Sequence, residues 1–481
     1  MKTIAGTFRY QYDGENPALL TRMTGPVHRV DTTYEPTRDL IAEVRNVSAG
    51  RISKLPKSDA APVPQVDDRD GAIDRRIDAA AAAATGAGQH PISAYTYEND
   101  ALGRRARIGM SGEAFERHSV PQAVEVAYND RSEVIGATYD RIDKIGENGI
   151  DRNHRSYGYQ YDAIGNREKA TVETPSEKVE TSYTANALNQ YTQIQNKKSI
   201  QGNPENPDNP VQKDRSRRNP VNPAVNPVHP VHDPDGNLLR DGEGRYRYEW
   251  DGENRLIAAV TSLDDPASTP PHRIEYGYDH QSRRVLRREY RVSAPEGGGA
   301  GTLTRETAYL YDNWNVVAEV DLTASQNTDH RSLKTYTWGR DLSGTLQGAG
   351  GVGGLLAISR VDSVSAESAP ENRNLKTENV STVYPCYDAN GNIVQLLDSG
   401  GALVAQYEYD PFGRTTRMEG AQAALNPWRF STKPEDGATG LVYYGFRYYE
   451  LEMGRWVNRD FIEEQGGVNL YGFVKNKGIG A

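Results

Sequence analysis

The chain is predicted to be all-β, a succession of antiparallel hairpins, on three observations. Tyrosine dominates the aromatics, 29 Tyr against 7 Phe and 5 Trp, and it suits a strand with one dry and one wet face. Glycine and proline number 46 and 26 in 481 residues, which implies many turns and leaves little room for long helices. Finally, an arrangement such as YEYDPFGR at 407–414 keeps returning along the chain. Tyr407 and Tyr409 share one strand face. Asp410 can bond amides two residues on and open a turn. Pro411 presets φ, Gly413 supplies the positive φ a tight hairpin needs, and Arg414 begins the return strand.

The clearest copies start at Tyr95, Tyr157, Tyr246, Tyr276, Tyr309, Tyr387 and Tyr407, with weaker ones at Tyr10, Tyr139 and Asp233. The shared form is an aromatic pair, an aspartate and a turn closed by Gly or Asn. Its structural positions are Tyr97, Tyr161–Asp162, Trp250–Asp251, Tyr278–Asp279, Tyr311–Asp312, Tyr387–Asp388 and Tyr409–Asp410, with Gly413. In DGENRLIAAV the return strand places Leu256, Ala258 and Val260 on one face, Ile257 and Ala259 on the other. A lone hairpin is marginal in water, whereas many in sequence pair edge to edge into one long sheet.

In chain order, residues 1–90 hold degenerate strands of the same type, then a loop (53–71) and an Ala-rich segment from Ile73 that suits a short helix or a low-complexity insertion. Repeats occupy 91–199. Residues 200–232 form an Asn/Pro-rich loop, too poor in amide donors to sit inside a sheet and predicted disordered; its Arg215, Arg217 and Arg218 read as solvated. Repeats resume over 233–425, interrupted by a polar hairpin loop at 360–380. Residues 426–481 form a compact end. There Trp428, Phe430, Tyr443, Tyr444, Tyr448, Tyr449 and Trp456 read as plug or core packing, with Gly440, Gly445 and Gly454 permitting close strand approach.

This pattern resembles the Rhs/YD-repeat family, which includes bacterial Rhs toxins, the C components of toxin complexes and the teneurin shell. The resemblance covers roughly residues 95–476 and is most specific in NPWRFSTKPEDGATGLVYYGFRYYELEMGRWVNRDFIEEQGGVNLYGFVKN, similar to the Rhs repeat-associated core. It implies a YD-repeat spiral β-sheet forming a full or partial hollow shell, ending in an Rhs core, whose role is to enclose a toxic C-terminal polypeptide. Family shells use longer chains, so an open segment with a sticky edge is expected, one that self-associates or lacks a partner chain. The resemblance also implies one enzymatic option. Toxin-type members end in a self-cleaving aspartyl centre, and Arg459 with Asp460 match its first half. Phe461 stands where the motif has proline, and the chain stops at NKGIGA before the second aspartate, so no catalytic residue is expected and these two are vestigial candidates. Asp460 as the cap of a turn is the alternative.

Other chemistry is weakly represented. The glycines at 348–354 lack the Gly-Lys-Ser/Thr ending of a phosphate loop and read as turns. His229 and His232 have no third ligand near in sequence. No metal and no cofactor is expected. Arg283, Arg284, Arg287, Arg288 and Arg291 are expected on a strand, with 284 and 288 on one face and 283, 287 and 291 on the other, paired by carboxylates of neighbouring strands. An inward basic patch holding acidic cargo is the minor option. A net charge of −10 and a pI of about 5.5 disfavour nucleic acid as a partner. The single cysteine, Cys386, excludes an internal disulfide.

No stretch has the apolar length of a membrane span, and the N-terminus lacks a signal-peptide run, so a soluble chain without membrane insertion is expected. Delivery by a secretion system would then use another signal; the other location is cytoplasmic. The leading functional expectation is a non-catalytic shell or scaffold that encloses or presents a C-terminal toxin or effector in bacterial competition or secretion, with that cargo or a neighbouring chain as partner. A second is a surface adhesion or carbohydrate-binding module, because exposed tyrosine stripes stack on sugars. A third is a remnant of an autoproteolytic toxin.

Overall fold

The computed structural model describes residues 1–3, 5–48, 91–116, 123–140, 154–200, 227–241, 245–261, 272–292, 301–323, 332–366 and 375–478. The Ala-rich segment, the loop at 53–71 and residues 201–226 with the three arginines of the Asn/Pro tract lie outside them. The described chain forms a 12-stranded sheet from Arg9–Tyr12 to Tyr191–Ile200 and a 14-stranded sheet from Val231–His232 to Thr415–Glu419. A two-stranded ribbon precedes them and a three-stranded sheet, Val442–Tyr443, Tyr448–Glu450 and Arg455–Trp456, follows. Within each large sheet every strand lies antiparallel beside its sequence neighbours. The helices among the described residues are four 3₁₀ turns of three residues each.

The single long sheet expected from the repeats is therefore two sheets. Their seam coincides with the Asn/Pro tract, and proline explains it. Between Pro227 and Pro230 only Val228 and His229 carry amides, so one bridge forms: Ile194 and Val228 exchange both backbone hydrogen bonds at 2.9 Å. A second correction concerns 360–380. Strands Leu355–Ala366 and Leu375–Tyr387 run into this stretch, paired from Ile358–Val383 to Ala366–Leu375. Polarity suggested a loop, yet RVDSVSA has no Gly or Pro to stop a strand.

Each repeat closes on the same turn. In nine of them one side-chain oxygen of the leading Asp or Asn accepts the amides two and four residues on, at 2.8–3.0 Å. The leading residues are Asp100, Asn129, Asp162, Asn186, Asp251, Asp279, Asp388, Asp398 and Asp410. The residue three after it has a positive φ: Gly in five turns, including Gly413 at +94°, and Ser132, Asn189, Asn254 or Ser282 in the rest. Asp312 leads a shorter turn, pairing with Asn315.

The aromatic just before the turn has a job between repeats. Tyr161 donates its hydroxyl to the Val134 carbonyl, Tyr278 to Leu256, Tyr311 to Arg284, Tyr387 to Leu355 and Tyr409 to Ile393, while the Trp250 indole reaches Leu238. The acceptor lies in the neighbouring strand of the preceding hairpin, five residues past the turn aspartate or asparagine in most copies. Tyr97 lies two residues further from its turn; its hydroxyl accepts the Ala389 amide across to the second sheet, at 2.8 Å. These rings are buried or half-buried, so they do not form the exposed stripe a sugar would stack on.

A β-bulge accompanies the turn. Gly277 opposes Leu286 but Tyr278 opposes Arg284, so Val285 is extra, and the same shift occurs beside Tyr161, Trp250, Tyr311, Tyr387 and Tyr409. The bulge flips the parity of the return strand. Arg284 and Arg287 are therefore both buried, not split between faces, while Arg288 pairs with Glu306 at 2.7 Å. Likewise Leu256 joins Ala259, opposite Tyr248, in one core cluster, while Ala258, opposite Glu249, is buried outside that cluster and Val260 is half-buried.

The sheets pack face to face. Tyr95, Tyr97, Tyr157 and Tyr159 share a core with Leu355, Cys386, Ile393 and Leu396. Asn46, Ser93 and Gln395 form a buried polar bridge between them: Asn46 donates to Ser93 (3.0 Å) and to the Tyr387 carbonyl (3.1 Å), and Ser93 to Gln395 (2.8 Å). Among the described residues no strand pairing closes either sheet on itself.

Two substitutions test the repeat. Tyr278→Phe keeps the ring but strips the 2.6 Å bond to Leu256, and urea denaturation is expected to show a loss of about 1–1.5 kcal/mol. Gly413→Ala imposes a left-handed penalty of about 1–2 kcal/mol and sets a methyl 2.4 Å from the Phe430 ring; it is expected to cost more than Tyr278→Phe.

Candidate functional site

Because the hairpins meander, their Asp and Asn turns, that of Asp398 excepted, line up along one rim, and residues 426–478 pack into that rim. Short strands and glycine-punctuated turns let this segment fold tightly; at Gly454, with φ +66°, any Cβ would lie 2.3 Å from the Arg167 guanidinium. Successive turns are gripped in order. Asn476 donates to Glu133 (3.0 Å) and the Gly165 carbonyl (2.8 Å). Arg455 reaches the Asn189 carbonyl and Tyr471 that of Gly236. Tyr443 accepts the Arg284 amide, Thr432 donates to Gly391, and Tyr449 donates to the Phe412 carbonyl. The last turn then returns beside the first sheet: Phe412 meets Tyr159 edge-on at 5.0 Å, and Arg155 meets Glu408 at 3.0 Å. The turns thus trace a ring with the C-terminal segment as its plug. At the centre Tyr449 and Phe473 stack at 4.0 Å, with Trp456 and Phe430 around them.

One buried ion pair fixes the plug to the wall. The Arg287 guanidinium meets both oxygens of Asp436 at 2.7 and 3.0 Å, and Asp436 also accepts from Tyr276 and from the amides of Ala438 and Thr439. Burial alone would raise the Asp436 pKa; the charge and hydrogen bonds of Arg287, helped by Arg284, outweigh it and hold the carboxyl well below the usual range. Arg284 lies over the rings of Tyr443 (4.5 Å), Tyr309 (5.1 Å) and Tyr276 (5.5 Å), a cation–π cage.

The two vestigial candidates go separate ways. Asp460 pairs with Arg447 at 2.9 Å, and its carboxylate and carbonyl accept the amides of Ile462 and Glu463, capping a turn. Arg459 instead donates to the Asp235 carbonyl at 2.7 Å. His229 contacts the Thr192 carbonyl and His232 the Tyr471 ring; burial, then Arg455, pushes His232 down to about 4. In the glycine-rich loop the amides of Ala349 and Gly351 bond the Asp341 carboxylate at 2.7 and 3.0 Å. The seven plug aromatics lie buried or half-buried in or beside the core. Sequence reasoning missed Asp436, Arg447, Tyr471 and Phe473. The acid in KPEDGATG, set among aromatics, was the available signal for Asp436; its partner lies 149 residues away.

The family model for the Teneurin YD-shell matches residues 375–479. The crystal structure of TcdB2-TccC3 superposes over 98% of this chain with a TM-score of 0.63 at 19% identity, covering 19% of that chain. The chain has the fold of a YD shell. Among relatives of this YD-shell chain, the tRNA3(Ser)-specific nuclease WapA of Bacillus spizizenii is 26% identical over 306 residues, 63% of this chain and 9% of that protein. Toxin subunit YenC2 of Yersinia entomophaga is 40% identical over 83 residues, 17% of this chain and 8% of the subunit. The double-stranded DNA deaminase toxin A of Burkholderia cenocepacia is 25% identical over 251 residues, 51% of this chain and 16% of that toxin. The YD-shell chain thus spans about a tenth of the length of the first of these relatives.

Asp436→Asn leaves two buried guanidinium groups without their charge partner, and is expected to cost about 3–5 kcal/mol in urea unfolding at pH 7. The folded protein keeps Asp436 ionised, so its contribution is complete above the ordinary carboxylate value of 3.8 and fades as pH falls below it. Stability curves of wild type and variant are expected to converge in acid; parallel curves would refute this account.

Proposed function

We propose that this chain is a stretch of container wall with a built-in end plug, enclosing a polypeptide toxin or effector in bacterial competition or secretion, with chemistry left to the cargo. The carrying observation is the plug: residues 426–478 hold turns of both sheets by side-chain and carbonyl hydrogen bonds and by the buried Arg287–Asp436 pair, which stops one end of the wall. The relatives lend support. Proteins named as a tRNA nuclease, a DNA deaminase toxin and a toxin subunit all match this chain, so the part they share is a wall rather than one activity. Asp460 is a turn cap, and no self-cleavage is proposed. None of the described helices is long and apolar enough to cross a membrane; export by a secretion system is part of the proposal.

A flexible, protease-sensitive reporter fused after Ala481 tests both statements. Limited proteolysis is expected to spare the reporter in the wild-type fusion and digest it in the Asp436→Asn fusion. Digestion at the rate of free reporter in both would overturn enclosure. The unfused chain is expected to keep its intact mass of 53.2 kDa on storage; a stable pair of fragments would overturn the non-catalytic reading.

A further inference from the structure

Three large aromatic side chains stand in a row on the surface of the plugged rim, outside both core clusters. Trp314 comes from the wall turn DNWN, Phe446 from the turn between Val442–Tyr443 and Tyr448–Glu450, and Phe461 from the segment after Arg455–Trp456. Trp314 and Phe446 lie 4.5 Å apart, and Phe446 and Phe461 5.4 Å apart, each pair tilted rather than edge-on. Even so they are 38%, 50% and 69% exposed. The row is held in place from below. The Trp314 amide donates to the Gln347 side chain (3.1 Å), which donates in turn to the Asp312 carbonyl (2.9 Å). Gly445, at φ +97°, lets the indole close on the plug, since a Cβ there would lie 3.3 Å from it. Phe461 completes the row at the place where the resembled motif has proline. Ring faces left in water attract cations, and the charge around these has the matching sign. Asp312 belongs to the turn that carries Trp314, and Glu463 and Glu464 to the turn that follows Phe461; all three are exposed and have no ion-pair partner among the described residues. The neighbouring cations are committed elsewhere: Arg283 to Asp279 (2.7 Å), Arg447 to Asp460 (2.9 Å) and Arg459 to the Asp235 carbonyl (2.7 Å).

We propose that this row is a docking site for a basic segment of a partner polypeptide, whose Arg or Lys side chains lie on the rings while the flanking carboxylates hold their charge. A planar guanidinium stacks on aromatic faces and pairs with a carboxylate at its edge. The same carboxylates turn away two other occupants: an anionic membrane surface, and a second copy of this chain, which carries a net charge of −10. Trp314 is the exposed member of the five tryptophans, so its fluorescence reports on the site. Titration of the full chain with the capped peptide Leu-Arg-Arg-Leu is expected to shift that signal saturably, with binding about tenfold tighter than that of Leu-Gln-Gln-Leu and weaker as salt rises. Phe461→Ala trims an exposed ring, so it is expected to keep the fold and weaken binding by about tenfold. Glu463→Gln with Glu464→Gln leaves the rings intact and is expected to remove the preference for the Arg peptide. No saturable shift, or equal binding of the two peptides by the wild-type chain, overturns the proposal. So does adsorption to phosphatidylcholine vesicles that Phe461→Ala abolishes, which makes the row a membrane contact, or a dimer in sedimentation equilibrium that the same variant dissociates, which makes it an interface between copies. The site stands apart from the enclosure reading: reporter protection can succeed while the Arg peptide fails to bind.

Discussion

The structure depends on a connection between repeats that no single repeat can make. A hairpin of two short strands buries too little to hold itself together. Here the hydroxyl or indole ahead of most turns finds its acceptor in the neighbouring strand of the previous hairpin, as Tyr161 does at Val134 and Tyr409 at Ile393. A buried phenol without an acceptor is costly, so each hairpin is complete only when its neighbour is in register. Stability is then chiefly a nearest-neighbour property, as in other repeat proteins.

The turn rim converts this linear order into a closed end. All the turns that precede such latches lie on one side of the sheets, and the C-terminal segment reads them one after another through carbonyls and side chains that the turns leave available. The Arg287–Asp436 pair matters because both groups are dry. Two charges removed from water are tolerated only with close geometry and full hydrogen bonding, and Asp436 has both. Plug position and wall integrity are coupled through that contact.

Much of this was readable beforehand. All-β class, repeat positions, the turn role of Asp410 and Gly413, and the aromatic end segment follow from local spacing, which one sequence displays directly. The copies at Asn129 and Asn186 escaped notice because Asn replaces the leading Asp and Ser132 or Asn189 replaces the closing Gly, although the geometry is unchanged. Strand faces were misassigned after the turn because alternation assumes strict period two, and one extra residue such as Val285 reverses it. The break into two sheets and the partner of Asp436 were out of reach: the first is decided by which amides flank the prolines, the second by a contact spanning 149 residues.

The bulges carry a last implication, for shape. A bulge bends its strand and tightens the local twist, and here one sits beside the plugged-side turn of hairpin after hairpin, with fewer at the other rim, as beside Tyr290 and Leu397. Each added hairpin therefore contributes an increment of bending of the same sense, much as identical tapered staves draw one mouth of a cask narrower than the other. The diameter of the stoppered mouth is then set by how many staves precede it, and a gain or loss of one would leave the stopper misfitted.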